Sequence, residues 1–137
     1  MVAVTLAGAF LRLYHLGYKA LWFDEAMIYW IIKGRTLSEI IHLNAAHNSA
    51  PPLFTVLTAL VVQLGETEFV LRFIPWLAGV ASIPVVYLLA RKFTGKIPAY
   101  LTAALVAIAP TQVRYSQELR EYSLAFLLAA LMILFFK

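Results

Sequence analysis

Charge is missing from three long stretches of this chain: Phe73 to Ala90, Ile97 to Val113, and Tyr122 to Phe136. An α-helix needs roughly 17–25 apolar residues to cross the hydrocarbon of a bilayer. The first two stretches reach that range, and the third reaches it with its flanks. Counting milder polar interruptions, five hydrophobic blocks emerge: 1–18, 53–64, 69–90, 97–116 and 121–137. The block 53–64 begins after Pro51-Pro52 and ends before Gly65. It is too short to span and is expected to lie along the interface. The pattern therefore predicts an all-α, multi-pass helical membrane protein with about four transmembrane helices, near 1–18, 69–90, 97–116 and 121–137. The polar segment 19–68 between the first two becomes a long outer loop, and loops of that length are usually functional. Two short amphipathic helices are predicted within it. One runs from about Glu25 to Lys33 and stops at Gly34; the other follows Thr36 and Glu39, which have capping-box spacing, into Ile40, Ile41 and Leu43. Tyr29 and Trp30 suit a helix lying among headgroups.

Composition agrees. The chain is 63% apolar and 13% charged, with mean hydropathy +0.83, where a soluble domain carries about a quarter charged residues. There is no cysteine, which removes thiolate metal sites. Met1 to Leu11 lacks the basic stretch of a cleavable signal peptide, so the start is expected to be a first membrane helix. The end, "LMILFFK", brings no folded tail, and the chain reads as the N-terminal piece of a larger protein. A net charge of +4 could suggest nucleic acid, but its placement argues for a membrane. With Met1 cytoplasmic, Arg91, Lys92, Lys96 and Lys137 fall on the cytoplasmic side. Seven other basic residues, Arg12 and Arg72 among them, balance the seven acids on the outer side. That distribution follows the positive-inside bias.

The candidate chemistry lies at the outer boundary. Asp24, the single aspartate of the chain, stands in "LWFDEA" beside Trp22 and Phe23, directly after the first predicted span. A carboxylate at that depth is a functional candidate, although an aspartate there also suits a helix N-cap. Glu25 beside it fits the first turn of a helix dipole. A second polar cluster, "YSQELREYSL", is expected to open the last membrane helix, with Glu118 and Glu121 on one face and Glu118 and Tyr122 likewise. On the topology above, both clusters border one aqueous cavity. Acids and an arginine gathered there suit deprotonation of a hydroxyl while an anionic leaving group is held. One aspartate cannot supply an Asp-x-Asp pair, and there is neither a phosphate-cradling Gly-rich loop nor a His-Glu-x-x-His pattern.

In order along the chain, "LWFDEA", "HNSAPPLF", "GETEFVLRF" and "YSQELREYSL" resemble the N-terminal part of polyprenyl-phosphate-sugar-dependent glycosyltransferases. These are membrane enzymes of the C-type fold, including the protein O-mannosyltransferase, lipid A aminoarabinose transferase and rhizobial lipopolysaccharide glycosyltransferase groups. The resemblance implies transfer of a sugar from a polyprenyl-phosphate donor to a hydroxyl or amine of a protein, lipid or glycan acceptor, with inversion. It places the active site on the outer face of the plasma (inner) membrane. It makes Asp24 the catalytic carboxylate and general base, with Glu25 and Glu118 as further catalytic candidates. Arg72, Arg120, Glu121, Tyr122 and His47 become candidates for the donor phosphate or substrate, because arginine can grip phosphate with two prongs. The family often has a His or an acid directly before "PPL"; here Ala50 stands there and His47 lies further back. The resemblance names no certain cofactor and leaves a divalent metal open. The alternative is a non-enzymatic membrane protein, such as a transporter half or an assembly subunit, whose outer loop binds a partner. Transporters place polar groups near the midplane, whereas these acids cluster at the outer ends.

Overall fold

The structure, a computed structural model, describes residues 1–48 and 51–136. The described residues are mostly helical, joined by short turns, with no strand among them. In chain order the helices are α1 (Val2–Leu13), α2 (Phe23–Ile32), α3 (Leu37–His47), α4 (Pro52–Val61), α5 (Glu68–Leu71), α6 (Phe73–Phe93), α7 (Lys96–Ile108), α8 (Pro110–Tyr115) and α9 (Tyr122–Phe135). A single 3-10 turn, Val62–Leu64, extends α4.

Local chemistry explains most of the boundaries. Thr36 and Glu39 form a reciprocal cap for α3: the Thr36 amide donates to Glu39 Oε2 at 2.7 Å, and the Glu39 amide donates to Thr36 Oγ1 at 3.4 Å. Gly34, at φ +66°, turns the chain between α2 and α3 in a region that costs glycine nothing. Pro52 opens α4, where its missing N–H is no loss. Pro110 ends α7, because a residue before proline is pushed out of the helical region, and Ala109 sits at ψ 123°.

Of these helices α6, with 21 residues, is long and apolar enough to cross a membrane by length and composition. Helix α1 has 12 residues, α7 has 13 and α9 has 14. At 1.5 Å per residue each is roughly 18–21 Å long, short of the ~30 Å hydrocarbon layer. The four predicted spans thus become one clear span and three shorter apolar helices. The block 1–18 loses its last turn to the bend at residues 14–18, and the block 97–116 is broken at Pro110. The opening of the predicted last helix also differs: residues 116–121 form a turn rather than a helix, so Glu118, Glu121 and Tyr122 share no helical face.

Two cores hold the fold. Helix α6 packs against α1, α7 and α9; Ile83, Ala103 and Ala107 form its buried core, and small buried residues such as Gly8, Gly79 and Ser82 line the approach. These let helix backbones approach closely where lipid offers no hydrophobic drive. The second core gathers Ile28, Ile31 and Ile32 of α2, Ile40 of α3, Phe54 of α4, Leu71 of α5, and Leu119 of the turn 116–121. The burial of Leu119 anchors the second polar cluster on the helices of the loop.

Candidate functional site

Helix α2 starts at Phe23, so Asp24 is its second residue and makes no capping bond. The carboxylate of Glu25 reaches back instead, accepting from the Trp22 amide at 3.3 Å. Asp24 and Glu25 consequently point to different surroundings. Glu25 is sealed in. Its Oε1 accepts from Arg72 Nε at 3.0 Å and from the Leu119 amide at 2.6 Å, while its Oε2 accepts from Arg72 Nη2 at 2.7 Å. The two side chains are 1% and 4% exposed. Arg72 spends its remaining N–H groups on the carbonyls of Leu16 (2.9 Å), Lys19 (2.8 Å) and Ala20 (3.4 Å). All five guanidinium donors are thereby committed.

Asp24 is the open half of the pair. Its side chain is 39% exposed, and its Oδ2 lies 3.1 Å from Arg120 Nη1. Arg120 also faces Glu121, at 3.5 Å from Nε to Oε2, but these two buried atoms make no hydrogen bond. The guanidinium sits 5.5 Å from the centre of the Tyr122 ring, which in turn packs at a tilt against Tyr115. Arg120 therefore lies between the two carboxylates, with Asp24 on Nη1 and Glu121 opposite the buried Nε.

Glu118 belongs to a neighbouring space. It pairs with Arg114 at 2.7 Å and lines a cleft of about 690 Å³ between the end of α1 and α8, together with Lys19, Trp22, Gln117, and the wall formed by Glu25 and Arg72. Asp24 and Arg120 are not part of that lining. His47 is exposed at the end of α3 and packs edge-on against Trp30, near the far end of α2 from Asp24. Among the described residues no three His, Asp or Glu side chains converge as metal ligands would. Ser49 and Ala50 of the "HNSAPPLF" run and Lys137 lie outside the described residues.

The structure thus brings Asp24, Glu25, Arg72, Arg120, Glu121 and Tyr122 to one junction, with Glu118 in the adjoining cleft and His47 apart. It also shows what the sequence reading missed. Arg12, counted there among the outer charges, is fully buried inside α1. A lone arginine at the end of an apolar run was the available signal, and its spacing could not name a partner. Leu119 was missed too, being an ordinary leucine inside a polar motif.

No curated protein and no solved structure matches this chain. Residues 49–137, well over half of it, match the family model described as dolichyl-phosphate-mannose-protein mannosyltransferase. The matched segment carries Arg72 and the whole turn that meets Asp24, and the chain belongs to that membrane-associated family of glycosyltransferases.

Proposed function

We propose that this chain is the N-terminal part of a multi-pass membrane glycosyltransferase that moves a sugar from a polyprenyl-phosphate donor to an acceptor hydroxyl or amine. The acceptor oxygen or nitrogen attacks the anomeric carbon, the bond from that carbon to the phosphate oxygen breaks, and the acceptor's proton passes to Asp24. The polyprenyl phosphate leaves with the bonding pair, and the sugar inverts. The family supports the reaction class. The residue roles rest on one observation: of two adjacent carboxylates, Glu25 has every neighbour bound while Asp24 remains accessible beside an arginine. A general base must be reachable by the proton it takes.

Glu25 and Arg72 then act as the frame that sets Asp24 and Leu119, not as reacting groups. Arg120, which already faces Asp24, is the cation for the departing phosphate, and Glu121 and Tyr122 fix its direction. In this reading α1, α6, α7 continued by α8, and α9 are the spans, and the site opens on the non-cytoplasmic face. Further helices would complete the cavity.

The test is sugar transfer from a polyprenyl-phosphate donor by the full-length protein and its Asp24→Asn variant. Loss of a general base is worth about 10²–10⁴ in rate, and that drop is expected with folding intact. Equal turnover in the two proteins removes Asp24 from the mechanism.

A further inference from the structure

The buried Arg12 is not used by the mechanism above, and its contacts are specific. Proline at 110 has no N–H, so the Val106 carbonyl, four residues back, loses its helical donor. The extended Ala109 takes the next turn out of register and frees the Ala107 carbonyl as well. Arg12 supplies both: Nη2 donates to Val106 O at 2.9 Å and Nη1 to Ala107 O at 2.7 Å. Nη1 also donates to Gly8 O at 3.0 Å and Nε to Ser116 Oγ at 3.2 Å. Every one of these partners is a neutral oxygen. The reverse contact comes from Gln117, whose Nε2 donates to the carbonyls of Arg12 (3.1 Å) and of Tyr14 just past the end of α1 (2.7 Å). Ser116 is tied further, donating to Gln112 O at 2.6 Å and lying 3.3 Å from Ser123 Oγ at the start of α9. Gly79 makes the approach possible, since a Cβ there would sit 2.0 Å from Ser116 Oγ and 3.2 Å from Arg12 Nε.

From these contacts we propose that Arg12 is a positioning residue of the transfer site. With Gln117 it forms a reciprocal clamp between the end of α1 and the break at Pro110, and the clamp aims the turn 116–121 at Asp24. Two residues beyond Gln117 the Leu119 amide meets Glu25, and one further on Arg120 meets Asp24. A cation without a carboxylate is an expensive way to finish a helix in an apolar bundle. An unbroken α7 with an apolar residue at 12 would cost less, and it would direct the turn elsewhere. Lysine cannot replace the fork, because one ammonium cannot reach two carbonyls and a hydroxyl in three directions. Arg12 precedes the segment that matches the family. The inference rests on the transferase reading for its kinetic consequence but not for its geometry.

The experiment uses the full-length protein and the variants Arg12→Met, Arg12→Lys and Arg12→Met/Pro110→Ala. The readouts are melting temperature in detergent, kcat and donor KM, and the distance between spin labels at Phe23→Cys and Tyr115→Cys in a cysteine-free background. Arg12→Met is expected to lower kcat by roughly a hundredfold, the cost of a site displaced by about 1 Å, with donor KM changed less than about twofold and a shifted or broadened label distance. Arg12→Lys recovers only part. The double variant returns an N–H to Val106 O, so it regains melting temperature while kcat stays low and the distance stays altered. Return of kcat together with stability in the double variant would make Arg12 a stabiliser only and overturn the proposal. So would an unchanged label distance in Arg12→Met. Should that variant fail to accumulate, the lysine and double variants decide by the same criteria. If the wild-type protein transfers no sugar from a polyprenyl phosphate, the donor reading fails, and the label distances alone judge the clamp.

Discussion

Replacing Glu25 by glutamine tests the frame of the site most directly. The substitution keeps the volume and exchanges one oxygen for an NH₂. In the wild-type protein Oε1 faces two donors, Arg72 Nε and the Leu119 amide, and Oε2 faces two more, Arg72 Nη2 and the Trp22 amide. Either orientation of the glutamine therefore sets its NH₂ against two N–H groups. It also leaves the Arg72 guanidinium buried without its carboxylate. Breaking a buried pair from one side costs on the order of 3–5 kcal/mol, and about 4 kcal/mol is expected for Glu25→Gln. Arg72→Met should cost a comparable amount, because the carbonyls of Leu16, Lys19 and Ala20 lose their donor as well. The double variant should be less damaged than the sum, with a coupling of about 2–3 kcal/mol. Reversible unfolding in mixed micelles at neutral pH, run as a double-mutant cycle, measures it. A coupling under about 0.5 kcal/mol is what solvated pairs give. That result would refute the sealed frame and return Arg72 to the phosphate role that its sequence context suggested.

Asp24→Asn should abolish most transfer, as above, while leaving the unfolding midpoint near that of the wild type, since Asp24 is partly exposed and makes no cap. At the rim, the Tyr29 hydroxyl (2.6 Å) and then Lys33 (3.3 Å) hold the Glu66 carboxyl below its ordinary value. A carboxyl depressed in the folded state adds stability above its unfolded pKa and loses it as pH falls through the folded one. Acid titration of the unfolding midpoint should therefore be less steep in Glu66→Gln than in the wild type, and identical slopes would show that the tether is idle. Gly79→Ala should destabilise by about 1–3 kcal/mol through overpacking, since the new Cβ would lie 2.0 Å from Ser116 Oγ. Gly95→Ala, whose nearest neighbour is 3.7 Å away at Pro98 Cδ, is the control and should unfold as the wild type does.

Much of the local structure was legible beforehand. The Thr36/Glu39 cap, the stop at Gly34, the entry at Pro52 and the apolar run of α6 are each dictated within a few residues, by hydrogen-bonding reach, positive φ or solvent preference. The two motifs that meet at the site were also visible, because aspartate and clustered charge are rare in so apolar a chain. Other features were misread for a shared reason. Arg12 and Arg72 look in sequence like boundary charges, since such residues normally snorkel to water. Their burial depends on a carboxylate, carbonyls and a hydroxyl brought in from 47 to 104 positions away. The stretch expected to open the last helix is instead the turn 116–121, whose Leu119 joins the core of Ile28, Ile31 and Phe54.

What the sequence determined alone is the helical character, the most apolar span and the residue types available for chemistry, since these depend on neighbours in the chain. Tertiary structure decided which carboxylate is free and which is locked. Two adjacent acids on one helix differ in no local property that matters here. They part only because Arg72 and the Leu119 amide arrive from elsewhere to satisfy one of them, leaving the other beside Arg120 and partly exposed.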